Sequence, residues 1–351
     1  MSMLYVANGQ DAAVMTRQML EQIRIEQYIG EHDSVALKPN LVVAKTYKSG
    51  ATTNPDICAE VIEYLYAHGR KNVSIIESSW VGEGTQRAFK VCGYNDLAKK
   101  YGIELVDVKK DKMVECEYNG LKVDVSKRAL EIDYIINLPL IKGHCQTKVT
   151  CSLKNMKGLI SDKEKRRFHA LGLSKPIAYL NKMICADFTI ADGTCIDPTF
   201  EEGGNPTALN TMIAGDDSVL VDTYAAKMLG YCVDDIGYLK ISAEIGVGSS
   251  DLESAEIVHI NSEQEMVQVV RSEQLERVET RISQDSACSA CYSNLISAMI
   301  SASANRDVCI GQGYREKTGK LGCGDCTNGF DEYVKGCPPS IEDIEQQLRK
   351  A

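Results

Sequence analysis

Six cysteines, Cys288, Cys291, Cys309, Cys323, Cys326 and Cys337, crowd the last 64 residues of a 351-residue chain. Cys288-Ser-Ala-Cys291 and Cys323-Gly-Asp-Cys326 each set two thiols two residues apart, a spacing at which a single turn can present both to one metal centre. Cys337 is followed by Pro338 and Pro339. Four cysteine sulfurs suit either an iron–sulfur cluster or a tetrahedral zinc ion, because both want soft anionic ligands. The pairs 288/291 and 323/326 are what a zinc ribbon would use, whereas a closing Cys-Pro in a glycine-rich turn is commoner at clusters. The expectation is a [4Fe-4S] cluster, with zinc and free or redox thiols as alternatives. The other eight cysteines, scattered from Cys58 to Cys232, read as inert buried thiols.

A second concentration of chemistry lies between Lys142 and His169, where six Lys and two Arg face two acids in a chain whose net charge is -10. A local basic block in an acidic protein can focus a small anion at short range. Within it, Lys154, Asn155 and Lys157 in SLKNMKG alternate donors with apolar residues and read as partly covered, while KEKRR alone reads equally as a solvated face. His144 and His169 bracket the block and are acid–base candidates.

These groups need a scaffold, and the first 260 residues supply an α/β pattern with a mostly parallel sheet and flanking helices. Strands are predicted at 3–7, 34–37, 73–76, 103–108, 134–139, 188–192, 211–215 and 256–260. Several are too continuously apolar for a half-exposed sheet. Asn54-Pro55 opens a predicted helix that Gly69 ends, Asp216 and Asp217 precede a second that Gly230 stops, and Asn119-Gly120 predicts a hairpin over 114–125. Ligands of open α/β sheets bind beyond the carboxyl ends of strands. By that rule Lys38, Asn40, Glu77 and Asp192 fall on one edge, and one crevice collects them with His144 and Lys154. The turn after Glu77, with Gly82 and Gly84 leading into a helix capped by Thr85, can present backbone N–H groups to an anion. It lacks the third glycine of a dinucleotide fingerprint.

The domain reading is an α/β body with an anion-binding crevice over 1–261, a connecting helix or linker over 262–285, and a small cysteine-rich region over 286–351. No run approaches 18 apolar residues, so no membrane span is predicted, and the start lacks a secretory pattern, so a cytoplasmic protein is expected. The acidic balance argues against general nucleic-acid binding.

The segments CSACYSNLISA, CIGQGYREKTGKLGCGDCTNGF and YVKGCPPSIEDIEQQL, with LKPNLV, GHCQTKVTCSLKNMKGL and IADGT upstream, resemble the domain-of-unknown-function family three-six-two over roughly 33–345. VKGCPPSIEDI is also locally similar to the loop that closes the [4Fe-4S] site in small subunits of nickel–iron hydrogenases. The family resemblance implies Cys288, Cys291, Cys326 and Cys337 as ligands. Cys323 stands where the family usually has an aliphatic residue, so it could replace Cys326 or sit beside the cluster, and Cys309 can simply pack in the core.

A cationic pocket beside a redox centre implies an iron–sulfur oxidoreductase acting on a small anionic organic substrate. Lys38 and Lys154 would clamp the anion, with Asn40, Glu77, Asn155 and Lys157 lining its site. His144 or His169 would move the proton, and Asp192 would orient it. A ferredoxin-like electron donor is the expected partner. The alternatives are a non-enzymatic electron-transfer or cluster-carrying protein that docks an acidic partner on its basic block, and a metal-dependent isomerase suggested by a likeness of the α/β scheme to lactate racemase.

Overall fold

The computed structural model describes residues 3–261, 266–269 and 273–350. The chain opens with β1 (Met3–Asn8), α1 (Ala12–Ile23), β2 (Val35–Pro39), α2 (Pro55–Ala67), β3 (Val73–Glu77), α3 (Thr85–Val91), α4 (Tyr94–Tyr101) and β4 (Glu104–Asp107). A hairpin, β5 (Met113–Tyr118) and β6 (Leu121–Ser126), leads through α5 (Lys127–Leu130) to β7 (Tyr134–Leu138). Then come two short strands, β8 (Lys142–His144) and β9 (Lys148–Thr150), and α6 (Ser152–Asn155), α7 (Asp162–Ala170) and α8 (Ser174–Met183). They are followed by β10 (Phe188–Gly193), β11 (Thr211–Gly215), α9 (Ser218–Met228), α10 (Gly237–Glu244) and β12 (Glu256–His259). The C-terminal part holds α11 (Glu273–Glu279), β13 (Ile282–Gln284), α12 (Ser289–Ser301), β14 (Val308–Ile310), β15 (Leu321–Cys323), β16 (Glu332–Val334) and α13 (Ile341–Leu348).

The main sheet runs β12-β1-β11-β10-β7-β2-β3-β4. Its strands pair in parallel except β11, which is antiparallel to both β1 and β10. Every residue of β2, β10 and β11 is buried, as their continuous apolar character requires. Alternation along β2 sends Val35 and Leu37 into the core shared with α1, α2 and α4. Ala36 faces the opposite core, built from α8, α9 and α10. The architecture is therefore the mixed α/β one, with helices on both sheet faces. No helix among the described residues is long and apolar enough to cross a membrane.

Local signals resolve as their chemistry dictates. Asn54 accepts from the Asp56 N–H with Pro55 at the first helical position, and Asp217 accepts from Val219 and Leu220 at the start of α9. Asn119 and Gly120 both take positive φ, 47° and 79°, as a type I′ hairpin turn demands.

The chain divides into two compact units, one of Met1–Gly143 and Val149–Val269, the other of His144–Lys148 and Val270–Ala351. The second unit carries the all-parallel sheet β13-β14-β15-β16, whose strands are three residues each, with α12 and α13 packed on one another. In the segment read as a linker, 262–265 and 270–272 lie outside the described residues, and α11 is helical.

Candidate functional site

Connections from β2 step to β3 and on to β4 on one side, while β7 pairs on the other side of β2 and leads to β10. The sheet's direction of winding thus reverses between β2 and β7, and the carboxyl ends of these two strands are where an open α/β sheet leaves a crevice. Four polar side chains span it. Asn155 Nδ2 donates to Asn137 Oδ1 at 2.7 Å and to the Lys38 carbonyl at 3.1 Å. Its Oδ1 accepts from Asn40 Nδ2 at 2.9 Å, and Asn40 Oδ1 accepts from Lys142 Nζ at 3.0 Å. All four residues are buried. The chain of amides fastens α6 over the strand ends, because each buried donor and acceptor is satisfied only in this arrangement.

Around this network five lysines gather. Lys38 Nζ donates to Glu77 Oε2 at 2.8 Å, both side chains almost wholly shielded from water. The cover is the backbone at Gly158, where a Cβ would lie 2.1 Å from Glu77 Oε1 and 2.5 Å from Lys38 Nζ. Lys165 donates to the carbonyls of Ser78 and Ser79 and to Ser78 Oγ. Lys142 also donates to the Ala51 and Glu201 carbonyls. Lys154 meets Thr150 Oγ1 at 2.9 Å and the Glu201 carboxylate. Lys157 is half-buried in the turn that follows α6, with Lys154, Glu201 and Lys165 as its charged surroundings.

Burial disfavours the ammonium form and moves these amines down. It lowers Lys38 despite Glu77, and brings Lys142 and Lys165 to about 8. Burial with the Lys154 and Lys165 charges brings Lys157 to about 7. The same desolvation raises Glu202 to about 7, helped by Glu201. Poorly solvated ammonium groups are ones that a neighbouring anion stabilises.

The other sequence-derived candidates fall into different roles. Asp192 is buried and accepts from Asn54 N at 2.9 Å, Thr194 N at 2.9 Å and Thr194 Oγ1 at 2.7 Å, so it joins the end of β10 to the cap of α2. Burial raises its carboxyl above the usual range. Gly82 lies against the Trp80 ring, which a Cβ would overlap. Gly84 N–H donates to the Glu83 carboxylate, which also accepts from Ala44 N and Arg87, and Thr85 Oγ1 accepts from Ser79 N. That turn's N–H therefore already has a carboxylate from its own chain. His169 sits half-buried in the last turn of α7.

Lys142, Lys165 and Glu201 were not picked out as site residues. Lys142 was legible only as the edge of the basic block. Lys165 hid in KEKRR, where Glu164, Lys165 and Phe168 form the buried face while Lys163 and Arg166 point outward. Glu201 lies 60 residues along from Ile141, and no local pattern links it to Lys154.

His144 belongs to the second unit, in the five-residue segment His144–Lys148. Its Nδ1 accepts from the N–H groups of Gln146 at 3.0 Å and Thr147 at 3.1 Å. Gln284 Nε2 donates to the Cys145 carbonyl at 2.8 Å, which stitches the segment to β13. In this unit Cys288 caps α12 and Cys291 lies in its first turn. Cys326 sits in the turn after β15, and Cys337 is exposed beyond β16. Burial pushes Cys291 up, and Cys288, Cys323, Cys337 and Cys326 add to the shift through their charge. Cys288 is raised by burial, with Cys326 and Cys337 contributing. Arg315 faces Cys326, Cys337 and Cys288 and is raised by them, the hydrogen bond to Cys326 foremost. Cys323 is buried and pushed up to about 12 by desolvation alone. Tyr314 reaches Cys309 in β14. Among the described residues no three His, Cys, Asp or Glu side chains close on a point that would hold a single metal ion.

Residues 35–227 match the family described as Domain of unknown function (DUF362). The chain belongs to the DUF362 family. The matched span runs from β2 into α9 and contains the whole lysine crevice, and it ends before the six-cysteine region. A thylakoid-associated protein of Synechocystis sp. is 25% identical over 213 residues, 58% of this chain and 64% of that relative. The chain therefore matches less than two thirds of that relative's length. The lactate racemase apoprotein from Thermoanaerobacterium thermosaccharolyticum superposes with a TM-score of 0.40 and 13% identity, over 62% of this chain and 55% of that one.

Proposed function

We propose that this DUF362 protein is an iron–sulfur oxidoreductase that binds a small organic anion at the β2/β7 crevice. The observation that carries the reading is the gathering of five lysines, four of them buried, around one amide network at the point where the sheet's winding reverses. Lys154 would hold the carboxylate or phosphate, with the Glu201 carboxylate occupying it until the anion takes its place. Lys142, whose three N–H groups already go to Asn40, Ala51 and Glu201, would fix these groups around the site, and Asn155 would tie α6 to the strand ends. Lys38 and Glu77 would keep the strand ends in register beneath Gly158. Lys157, titrating near neutrality, would give or take the proton. Buried lysines favour a ligand over a docked protein, since a docking face would use exposed charges such as Lys163.

Cys288, Cys291, Cys326 and Cys337 would hold a [4Fe-4S] cluster. Their mutual electrostatic influence and the facing Arg315 fit an anionic sulfur-rich centre, whereas the apolar burial of Cys323 suits a neighbouring thiol. Such a cluster supplies one-electron transfer when bound, which a ferredoxin-like donor would feed.

Two measurements on anaerobically purified protein test the reading. Iron and acid-labile sulfide near four each per chain, with a paramagnetic signal after dithionite, support the cluster; one zinc and no signal sink the redox mechanism. Lys154→Ala is expected to weaken binding of small carboxylates roughly 10- to 100-fold, the loss of one charged hydrogen bond, and to leave the cluster spectrum intact. Unchanged anion affinity would remove the crevice from the mechanism.

A further inference from the structure

Lys157 stands apart from its neighbours. Lys38, Lys142, Lys154 and Lys165 each meet two or more oxygens. Lys157 Nζ has no hydrogen-bond or ion-pair partner among the described residues, and its charged surroundings are two ammonium groups, from Lys154 on α6 and Lys165 on α7, and the Glu201 carboxylate. It lies three residues after Lys154, a spacing that brings side chains to one side of a helical turn. It is half-buried, so a small molecule can reach it.

From this geometry we propose that Lys157 is a nucleophile that captures the carbonyl of a small 2-oxo acid as an imine while Lys154 holds the carboxylate. The proposal rests on the crevice being an anion site and names the substrate class. An amine with no acceptor, crowded by cations and partly withdrawn from water, is the arrangement that keeps lysine neutral and nucleophilic near pH 7. A carboxylate beside a carbonyl is the smallest anion that engages Lys154 and the amine together.

The step is balanced without an added oxidant or reductant. The nitrogen lone pair of Lys157 forms a bond to the carbonyl carbon, and the carbonyl π pair moves to oxygen, which takes a proton as the nitrogen loses one. The carbon–oxygen bond of the carbinolamine then breaks, hydroxide leaves as water with a proton from solvent, and the nitrogen pair closes the C=N bond as an iminium, which returns its N–H proton to solvent to give the imine. The iminium accepts electrons more readily than the parent carbonyl.

The test is reductive trapping on the full-length protein with glyoxylate and cyanoborohydride at pH 7, followed by peptide mass mapping. Lys157 is expected to carry the reduced adduct roughly a hundredfold faster than exposed Lys163. About half of an amine titrating near 7 is neutral at that pH, against about one in a thousand for an ordinary lysine, and lower basicity takes back part of that advantage. Lys157→Arg, which keeps the charge, is expected to bind glyoxylate and form no preferential adduct. Adducts spread over exposed lysines, while lactate and glyoxylate still compete for one site by calorimetry, would overturn the imine and leave the anion crevice standing. Absence of both trapping and binding would overturn the two together.

Discussion

The two units of this chain support their chemistry in opposite ways. The first buries long strands between two apolar cores, and that rigidity holds four lysines and an amide chain in place with the protein's own groups as partners. The second has three-residue strands and a thin apolar interior around Leu295, Ile296, Met299, Ile310 and Ile344. A region of that size gains little from apolar burial alone. A large core can preform a charged site from its own groups, whereas a small one has fewer internal contacts with which to do so.

The largest expected effect breaks the comparison at its weaker side. Cys291→Ser with Cys337→Ser should remove the proposed cluster and, with it, folding free energy of several kcal/mol from the second unit alone. Limited proteolysis of the full chain is expected to cut first beyond residue 270 while a core from the first unit persists. Equal resistance in variant and parent would mean that the thiols do not hold that unit.

Next comes the buried pair. Glu77→Gln strands the Lys38 charge beneath Gly158 and should cost about 3–5 kcal/mol in urea unfolding. Replacing both, as Lys38→Met with Glu77→Leu, should recover most of that. A double variant as damaged as the single one would show that the pair acts through more than its charge. Gly158→Ala should destabilise as well, since its Cβ has no room.

The smallest effect is a dip in stability near neutral pH. Burial raises Glu202 and Asp222 to about 7, so the stability they contribute is full below their unfolded pKa values and lost as pH rises through 7. Lys157, Lys142 and Lys165 are depressed to about 7, 8 and 8, so the unfolded chain binds more protons above these values and stability climbs from pH 7 toward 9. Thermal midpoints between pH 5 and 9 should show the minimum, and a small carboxylate should fill it. Glu202→Gln should flatten the acid limb and Lys157→Met the alkaline one. A monotonic profile that neither substitution alters would contradict the burial of these groups.

Much of the scaffold was legible because its signals are local. The eight strands, the Asn54 and Asp217 caps and the 119–120 turn follow from apolar continuity, side-chain capping and backbone preference within a few residues. The antiparallel sense of β11 was not, since strand direction depends on a connection whose path lies between distant partners. Among site residues, Asn40, Lys154, Asn155 and Lys157 do assemble at one crevice, while His144 goes to the other unit and Asp192 serves as a joint between β10 and α2. Lys165 looked like a solvated charge, and only the position of α7 against Ser78 and Ser79 buries it.

By itself the sequence determined which groups exist and which strand ends carry them: six thiols in the tail, lysines and amides around β2 and β7, and an α/β alternation that puts both on structured elements. Tertiary structure alone decided which charges lose their water and what meets them. The partners involved, Glu77 for Lys38 and Glu201 for Lys154, lie far along the chain, and desolvation is set by everything that surrounds a group.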